Sequence, residues 1–555
     1  MLFRRQDSLR RAGFVGQEFL LLAFPLATML AGAFMIHELG PHYLGIHSDP
    51  DYAYLLNSLN VANGFSPFHT DHPGISLQLI GAAVLHFMGR LQGTPDLTAE
   101  VLQNPETCLQ AINLVLLSIS SVCLLLIAVA VRKWTNSIIL SIFAQGAVLF
   151  YPGALVFLPR VCPENMMIPI AALWAAAALH TLHPASKNSP TRISGHFWLA
   201  FAVSVALATK ITFLPYFLAG AILLDTWRKR VEYMLYTCLL TLALLLPAMP
   251  HWINTLRWFF HLTVRQGFYG TGQPGLPPWQ DMFGWIIACL AEHPTFALIL
   301  IGSGLALWRA WKAQRANSDS LPPKSLRLLV SLLILQVSSM LMVAKHPANR
   351  YLLPALALSP FTMVVALHIL RSLRNKSISS PLVPASILAV FAAYGLLGNL
   401  QYLDKERTLA RQLRRMDAVS SYLSGAGKII YSQFASAEAY ALAFGCGYSG
   451  GIHADRLRAR YPQFLGHDVF TGRAFDFVGP TFRPPVGAAA QANQPPMPIF
   501  FHTGIGVLSQ PATLDLPSGF GMFLIYRQAH EQIFLLAPAN QLHTPQYWRK
   551  KLASF

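Results

Sequence analysis

Four carboxylates and five histidines crowd one short stretch of the chain. Residues 37–74 read HELGPHYLGIHSDPDYAYLLNSLNVANGFSPFHTDHPG and hold Glu38, Asp49, Asp51 and Asp71 with His37, His42, His47, His69 and His72. Side chains of these types move protons near neutral pH or bind cations. Asp49 and Asp51 flank Pro50, and either carboxylate could serve as a general base with the other as its supporting partner. As a pair they could also hold Mg2+ or Mn2+ through oxygen. The His37-Glu38 to His42 spacing is one residue longer than the zinc-protease pattern, and Gly40-Pro41 would break the helix which that pattern needs. Zinc proteolysis is therefore not the reading.

Cations recur further along. Arg160 and Glu164 stand four apart, Lys210 sits between two apolar runs, and Lys345-His346-Pro347-Ala348-Asn349-Arg350-Tyr351 follows another. Arginine gives a fork and lysine a point charge to an anion. The plainer reading is snorkelling, in which basic residues at helix ends reach for lipid headgroups, and pairing of Arg160 with Glu164.

The elements that must position these groups are membrane helices. The 555 residues are 54% hydrophobic and 12% charged, with mean hydropathy +0.43; a soluble domain carries about 25% charged residues. Apolar blocks approach the ~20 residues that cross a bilayer. Spans are expected at 14–36, 109–131, 137–157, 165–183, 195–209, 211–225, 233–252, 294–311, 327–344, 351–370 and 382–400, about eleven in all. The net charge of +17 would suggest nucleic acid in a soluble protein. Here Arg4, Arg5, Arg10 and Arg11, Arg132 and Lys133, Arg228, Lys229 and Arg230, and Arg371, Arg374 and Lys376 cluster between apolar blocks. That is the mark of cytoplasmic loops, and no nucleic-acid partner is expected. The six cysteines show neither a disulfide nor a zinc-ligand spacing.

With the N-terminus inside, 132–136, 184–194, 226–232, 312–326 and 371–381 become inner loops, and each holds at least two Lys or Arg. The first outer loop is then 37–108, and the carboxylates lie on the outer face with Lys210 and Arg350. Residues 74–89 are apolar but short, and counting them as a span would invert every later loop. They are expected to dip in without crossing, as are 282–290. Asp49 suits a helix N-cap with Pro50 at the first helical position. Tyr52, Leu55, Leu56 and Leu59 would line one face of a helix along the membrane surface. After residue 400 the composition changes. Residues 428–432, 498–503, 520–527 and 532–538 read as strands, and Gly445–Gly451 as a glycine-rich turn. The fold class is an all-α polytopic membrane domain, 1–400, followed by a soluble α/β domain, 401–555, outside the cytoplasm.

This order of motifs resembles the GT-C superfamily of membrane glycosyltransferases, closest to its protein O-mannosyltransferase and aminoarabinose-transferase branch. There an acidic motif in the first outer loop precedes His-Pro-Pro or Lys-Pro-Pro. Here the two elements are Asp49-Pro50-Asp51-Tyr52 and Asp71-His72-Pro73-Gly74. Arg160 and Glu164 fall in an outer loop where the family often has an acidic residue, and the segment from Lys345 to Tyr351 is similar to its late His/Arg-Tyr element. Gly74 replaces the second proline, and Pro50 stands where Glu is common.

The resemblance implies an inverting glycosyltransferase with a polyprenyl-phosphate sugar donor and an unidentified glycan, lipid or protein acceptor. Asp49, the first acid of the motif, becomes the expected base, with Asp51 supporting. Asp71, His72, Arg160, Glu164, Lys210, Lys345, His346, Arg350 and Tyr351 become expected substrate-binding residues. The expected setting is a multi-pass protein of a bacterial cytoplasmic (inner) membrane, surrounded by membrane lipid. A transporter or lipid-sugar flippase is the competing class, and a non-catalytic assembly or sensor subunit the third. Transporters usually carry internal repeats and midplane charges, whereas here the ionisable groups gather in outer loops and no repeat is evident.

Overall fold

A backbone in hydrocarbon must satisfy its own hydrogen bonds, so the apolar blocks fold as helices. The computed structural model describes residues 18–555 except 72, 152, 183–193, 268–269, 271, 317–322, 374–381, 469–472, 478, 481–497, 505–518, 529, 542 and 554. The basic N-terminal head therefore lies outside the described residues, as do parts of the expected inner loops 184–194, 312–326 and 371–381. Among the described residues, eight helices are long and apolar enough to cross a membrane: Leu20–Leu39, Pro105–Thr135, Pro163–Leu182, Trp227–Val264, Pro294–Arg315, Pro323–Lys345, Asn349–Leu373 and Ala385–Ser424. Gly195–Thr209 and Ile211–Leu223 are shorter apolar helices.

The remaining expected span, 137–157, is not one helix. It breaks into Ile138–Ala144, Ala147–Phe150 and Ala154–Phe157. The buried Asn399 side chain stabilises the break. Its Oδ1 accepts from Gly153 N (3.0 Å) and Leu155 N (3.2 Å), while Nδ2 donates to Val148 O (3.0 Å) and Tyr151 O (3.2 Å). Irregular backbone at membrane depth persists where protein satisfies it in this way.

The elements around the first loop are α1 (Ala23–Leu39), α2 (Ser48–Ala62), α3 (Ile75–Gln92), α4 (Pro105–Thr135), α5 (Pro163–Leu182) and α6 (Gly195–Thr209). Helix α3 has 18 residues and is not among the eight long apolar helices. The expected dip at 282–290 lies within a helix of 14 residues, Trp279–Glu292. Asp49 has extended backbone (φ −101°, ψ 118°), and regular helix starts after it at Pro50. Helix α2 does not lie on a surface. Tyr52, Ala53, Tyr54, Leu55, Leu56, Asn57, Asn60 and Leu59 are all fully buried, because α3 covers one side and the C-terminal part covers another.

Composition shifts at residue 400, but the backbone does not break there. Helix α7 (Leu382–Ser424) runs for 43 residues from the last apolar block through the charged stretch 404–417. Beyond it lies a seven-stranded mixed sheet of β1 (Lys428–Ser432), β2 (Leu465–Asp468), β3 (Arg473–Asp476), β4 (Gly479–Pro480), β5 (Ile499–Thr503), β6 (Phe520–Gln528) and β7 (Glu531–Pro538), in the order β4-β3-β2-β1-β5-β7-β6. β1 runs parallel to β2 and β5, and the outer pairs are antiparallel. Met416, Val419 and Leu423 of α7 pack with Ile429, Phe500, Ile533, Leu535 and Trp548 in a core on one face of the sheet.

The glycine-rich segment is only partly a turn. Helix α8 (Glu438–Tyr448) takes in Gly445, and the turn follows at Ser449–Gly451. A side chain at 445 would place its Cβ 2.6 Å from the Tyr52 carbonyl oxygen. Only glycine lets α8 lie this close to α2.

Candidate active site

Helix α2 begins at the aspartates, and the loop before it folds back on them. Asp51 is fully buried, and its Oδ2 accepts from His42 Nδ1 at 2.8 Å and from Arg160 Nε at 2.9 Å. Arg160 also donates through Nη2 to the carbonyls of His47 (2.9 Å) and Asp49 (3.2 Å), and its Nη1 meets His47 Nδ1. One guanidinium thus spans the whole turn from 47 to 51. Glu106 of α4 steadies the same turn by accepting from His42 N and the Tyr52 hydroxyl, both at 2.8 Å. Glu406 of α7 stands 3.7 Å from His47 Nε2.

The two carboxyls differ electrostatically. Burial pushes Asp49 up to about 6, opposed by Arg160 and Arg350 and assisted by Asp51 and Glu164. Burial also disfavours charge on Asp51, but Arg160 and His42 outweigh it and hold that carboxyl below its usual range. His47 is pushed down to about 3, first by burial and then by Arg160. Asp51 is thus held toward its charged form by its partners, while burial holds Asp49 toward its protonated form.

A second cluster adjoins the first. Glu164, at the start of α5, accepts from Lys210 Nζ at 2.6 Å, with Arg350 Nε 3.9 Å from the same oxygen. Lys210 and Arg350 both face the Tyr351 ring, at 4.5 and 5.3 Å from its centroid. Arg160 and Glu164 do not pair with one another: each turns to a different partner. Lys210 is tied to the first loop through backbone, since Pro73 bridges Lys210 and Gly74 N donates to Thr209 O at 3.0 Å. Gly74 has φ +68°, and an added Cβ there would meet the Tyr54 ring at 2.5 Å. Proline, fixed near −65°, cannot adopt that conformation.

Lys345 and His346 sit elsewhere. Lys345 Nζ donates to the carbonyls of Leu262 (2.8 Å) and Thr263, and the His346 ring nitrogens face Gly267 O and Leu262 O, each at 2.8 Å. They fasten the helix Trp252–Val264 over an apolar groove of about 360 Å3. Lys210, Lys345, His346 and Tyr351 line that groove with Trp258, Phe259 and Met342. Asp71 is half-buried, two residues before the Pro73 bridge. His72 lies outside the described residues.

The aspartates fit a resident Mg2+ or Mn2+ poorly. Arg160 occupies the place beside Asp51 Oδ2 that a cation would take, and of the buried carboxylate oxygens there Asp51 Oδ1 and Glu406 Oε2 have no hydrogen-bond partner among the described residues. These ions want several oxygens in regular geometry, and no three His, Cys, Asp or Glu side chains among the described residues are placed to hold a metal ion together. His42, His47, Glu106 and Glu406 are site residues that spacing did not single out. The histidines were visible only as part of the ionisable crowd, and nothing in sequence ties Glu106 or Glu406 to it.

No family model matches the chain, and no curated protein sequence matches it. Among solved structures it is similar to ArnT from Cupriavidus metallidurans in the apo state, at 13% identity and TM-score 0.51, covering 95% of this chain and 98% of that one. The same protein bound to undecaprenyl phosphate aligns at 15% identity and TM-score 0.49, covering 94% and 98%. The apo comparison gives this chain the fold of ArnT.

Proposed function

From that fold as premise, we propose that the chain is an inverting glycosyltransferase that moves a sugar from a polyprenyl-phosphate donor to an acceptor on the outer face of the membrane. The observation that carries this reading is one arrangement: a carboxyl raised by burial to about 6, Asp49, in the field of Arg350 and Glu164, with Glu164 bonded to Lys210 and Lys210 lining an apolar groove. A lipid phosphate is a good leaving group and needs no general acid, unlike the leaving group in glycoside hydrolysis by two carboxylates. One base is enough. Asp49 takes the proton from an acceptor hydroxyl as its oxygen attacks the anomeric carbon, and the carbon–oxygen bond to phosphate breaks on the opposite face. The anomeric carbon inverts, and the electron pair leaves on the phosphate. Lys210 and Arg350 neutralise the charge that develops there.

Arg160 in this reading is a strut that shapes the base, and does not touch substrate. Lys345 and His346 hold the groove wall that would cover the lipid chain. The groove supplies apolar surface for that chain, and its cationic end supplies sites for the phosphate. The setting proposed is a multi-pass protein of the bacterial inner membrane, with 401–555 outside the cytoplasm and α3 dipping without crossing.

The test is to delete the protein and profile lipid-linked sugars by mass spectrometry, then supply the accumulating species to the purified full chain. A polyprenyl-phosphate sugar that accumulates and is consumed with inversion supports the proposal. A lipid-linked sugar that merely stays on the inner leaflet, unchanged by the purified chain, would mean a flippase instead.

A further inference from the structure

We infer that Asn57 is a positioning residue for this transfer, setting the register between the base and the phosphate-binding cations; the inference rests on the function proposed above. Asn57 lies on α2, two turns beyond the aspartates, and is fully buried. Its Nδ2 donates to Ala53 O at 2.7 Å and to Tyr448 O at 3.1 Å. Its Oδ1 accepts from Phe68 N at 2.7 Å and His69 N at 3.1 Å. The chemistry fixes the orientation of the amide, because two backbone N–H groups can face only an acceptor and two carbonyls only a donor. Both donors and both acceptor positions are used.

These four bonds join three parts of the molecule: the base helix, the loop 68–71 and the C-terminal helix α8. The loop continues to Pro73 and Gly74, which pair with Lys210 and Thr209. A path therefore runs from Asp49 along α2 to the Asn57 side chain, through its hydrogen bonds to Phe68 N and His69 N, and on along the chain to Pro73 and Lys210, which is bonded to Glu164. A neighbour provides the contrast. Asn60, three residues on and equally buried, donates to Ser449 O at 3.0 Å and meets His453 Nε2 at 2.8 Å. It ties α2 to the C-terminal part without holding the loop. Gln78 of α3 holds the loop without touching the C-terminal part, donating to His69 O at 2.8 Å.

The experiment compares Asn57→Asp, Asn57→Ala, Gln78→Met and Asn60→Ala in the purified full chain. Asn57→Asp keeps the shape and both accepted bonds but turns an anionic oxygen onto two carbonyls. A misplacement near 1 Å costs about 10²-fold in rate, so both Asn57 variants should lose about that much kcat with donor KM changed by less than about threefold. Gln78→Met should lose about tenfold in kcat with the same split. Asn60→Ala should lower thermal stability and leave kcat within about threefold. Amide hydrogen exchange is read in parallel, and Asn57→Ala should deprotect 66–71 where Asn60→Ala does not. Equal kcat losses in the Asn57 and Asn60 variants, or a donor KM that rises as much as kcat falls, would overturn the role. If the Asn57 variants fail to fold, Gln78→Met with normal kcat overturns it. If the wild type transfers no sugar, the functional reading fails, and exchange alone decides whether Asn57 holds the loop.

Discussion

Arg160 and Asp51 form a 2.9 Å ion pair, and the same guanidinium reaches the Asp49 carbonyl at 3.2 Å. Two aspartates separated by a single proline are thereby given opposite characters. One is spent on a buried pair, and the other is left with a carboxyl that burial has made a better base.

Breaking that pair should cost stability before chemistry. Removing one partner of a buried salt bridge costs about 3–5 kcal/mol, because the remaining charge stays buried. Arg160→Ala should therefore lower the thermal midpoint of the detergent-solubilised protein sharply. The double variant Arg160→Ala with Asp51→Ala should regain part of the loss. A midpoint unchanged in Arg160→Ala would mean that the pair does not hold the loop.

Asp49→Asn should slow transfer by the ~10²–10⁴ that a general base supplies, with the fold intact. Its pKa is raised to about 6, and the reaction needs the ionised form. The wild-type rate should accordingly fall about tenfold per unit as pH drops below about 6. Arg350 lowers that pKa, so Arg350→Gln should move the acid limb to higher pH. A limb that stays near 6 in Asp49→Asn would assign it to another group. If Asp49→Asn keeps most activity while folded Asp51→Asn is dead, the two roles are exchanged.

Lys210 and Arg350 share the Glu164 carboxylate and the Tyr351 ring. Arg350→Lys keeps the charge but loses the fork, so donor binding should weaken, and weaken further in Arg350→Ala. A helix-end anchor would tolerate lysine equally well. Titration of the purified variants with a short-chain prenyl-phosphate sugar separates the two. Unchanged affinity in both would remove Arg350 from the site and leave Lys210 as the phosphate cation.

Sidedness is open to a direct test. With cysteine introduced singly at 92 and 134, an impermeant thiol reagent applied to intact cells should label 92 and spare 134. The opposite pattern would overturn the reading of α3 as a helix that dips in without crossing.

The sequence by itself determined what short-range rules govern. Apolar blocks of bilayer length became helices. Asp49-Pro50 became a helix start, and the four strand segments read from 428 onward appear within a residue of their expected limits. The glycines, prolines and period of hydrophobicity that mark such elements lie within a few residues of one another. Partner choice does not. Arg160 and Glu164 are four residues apart, yet one reaches Asp51 and the other Lys210, because the helix start between them points the two side chains toward different elements. Asn399 breaks the helix expected at 137–157 from 246 residues away. The C-terminal part encloses α2 where a lone amphipathic helix would have met lipid or water. Each of these outcomes depends on which surfaces meet once the helices pack. The energies involved, a buried ion pair or an amide satisfying two broken helix ends, exist only after water has been excluded.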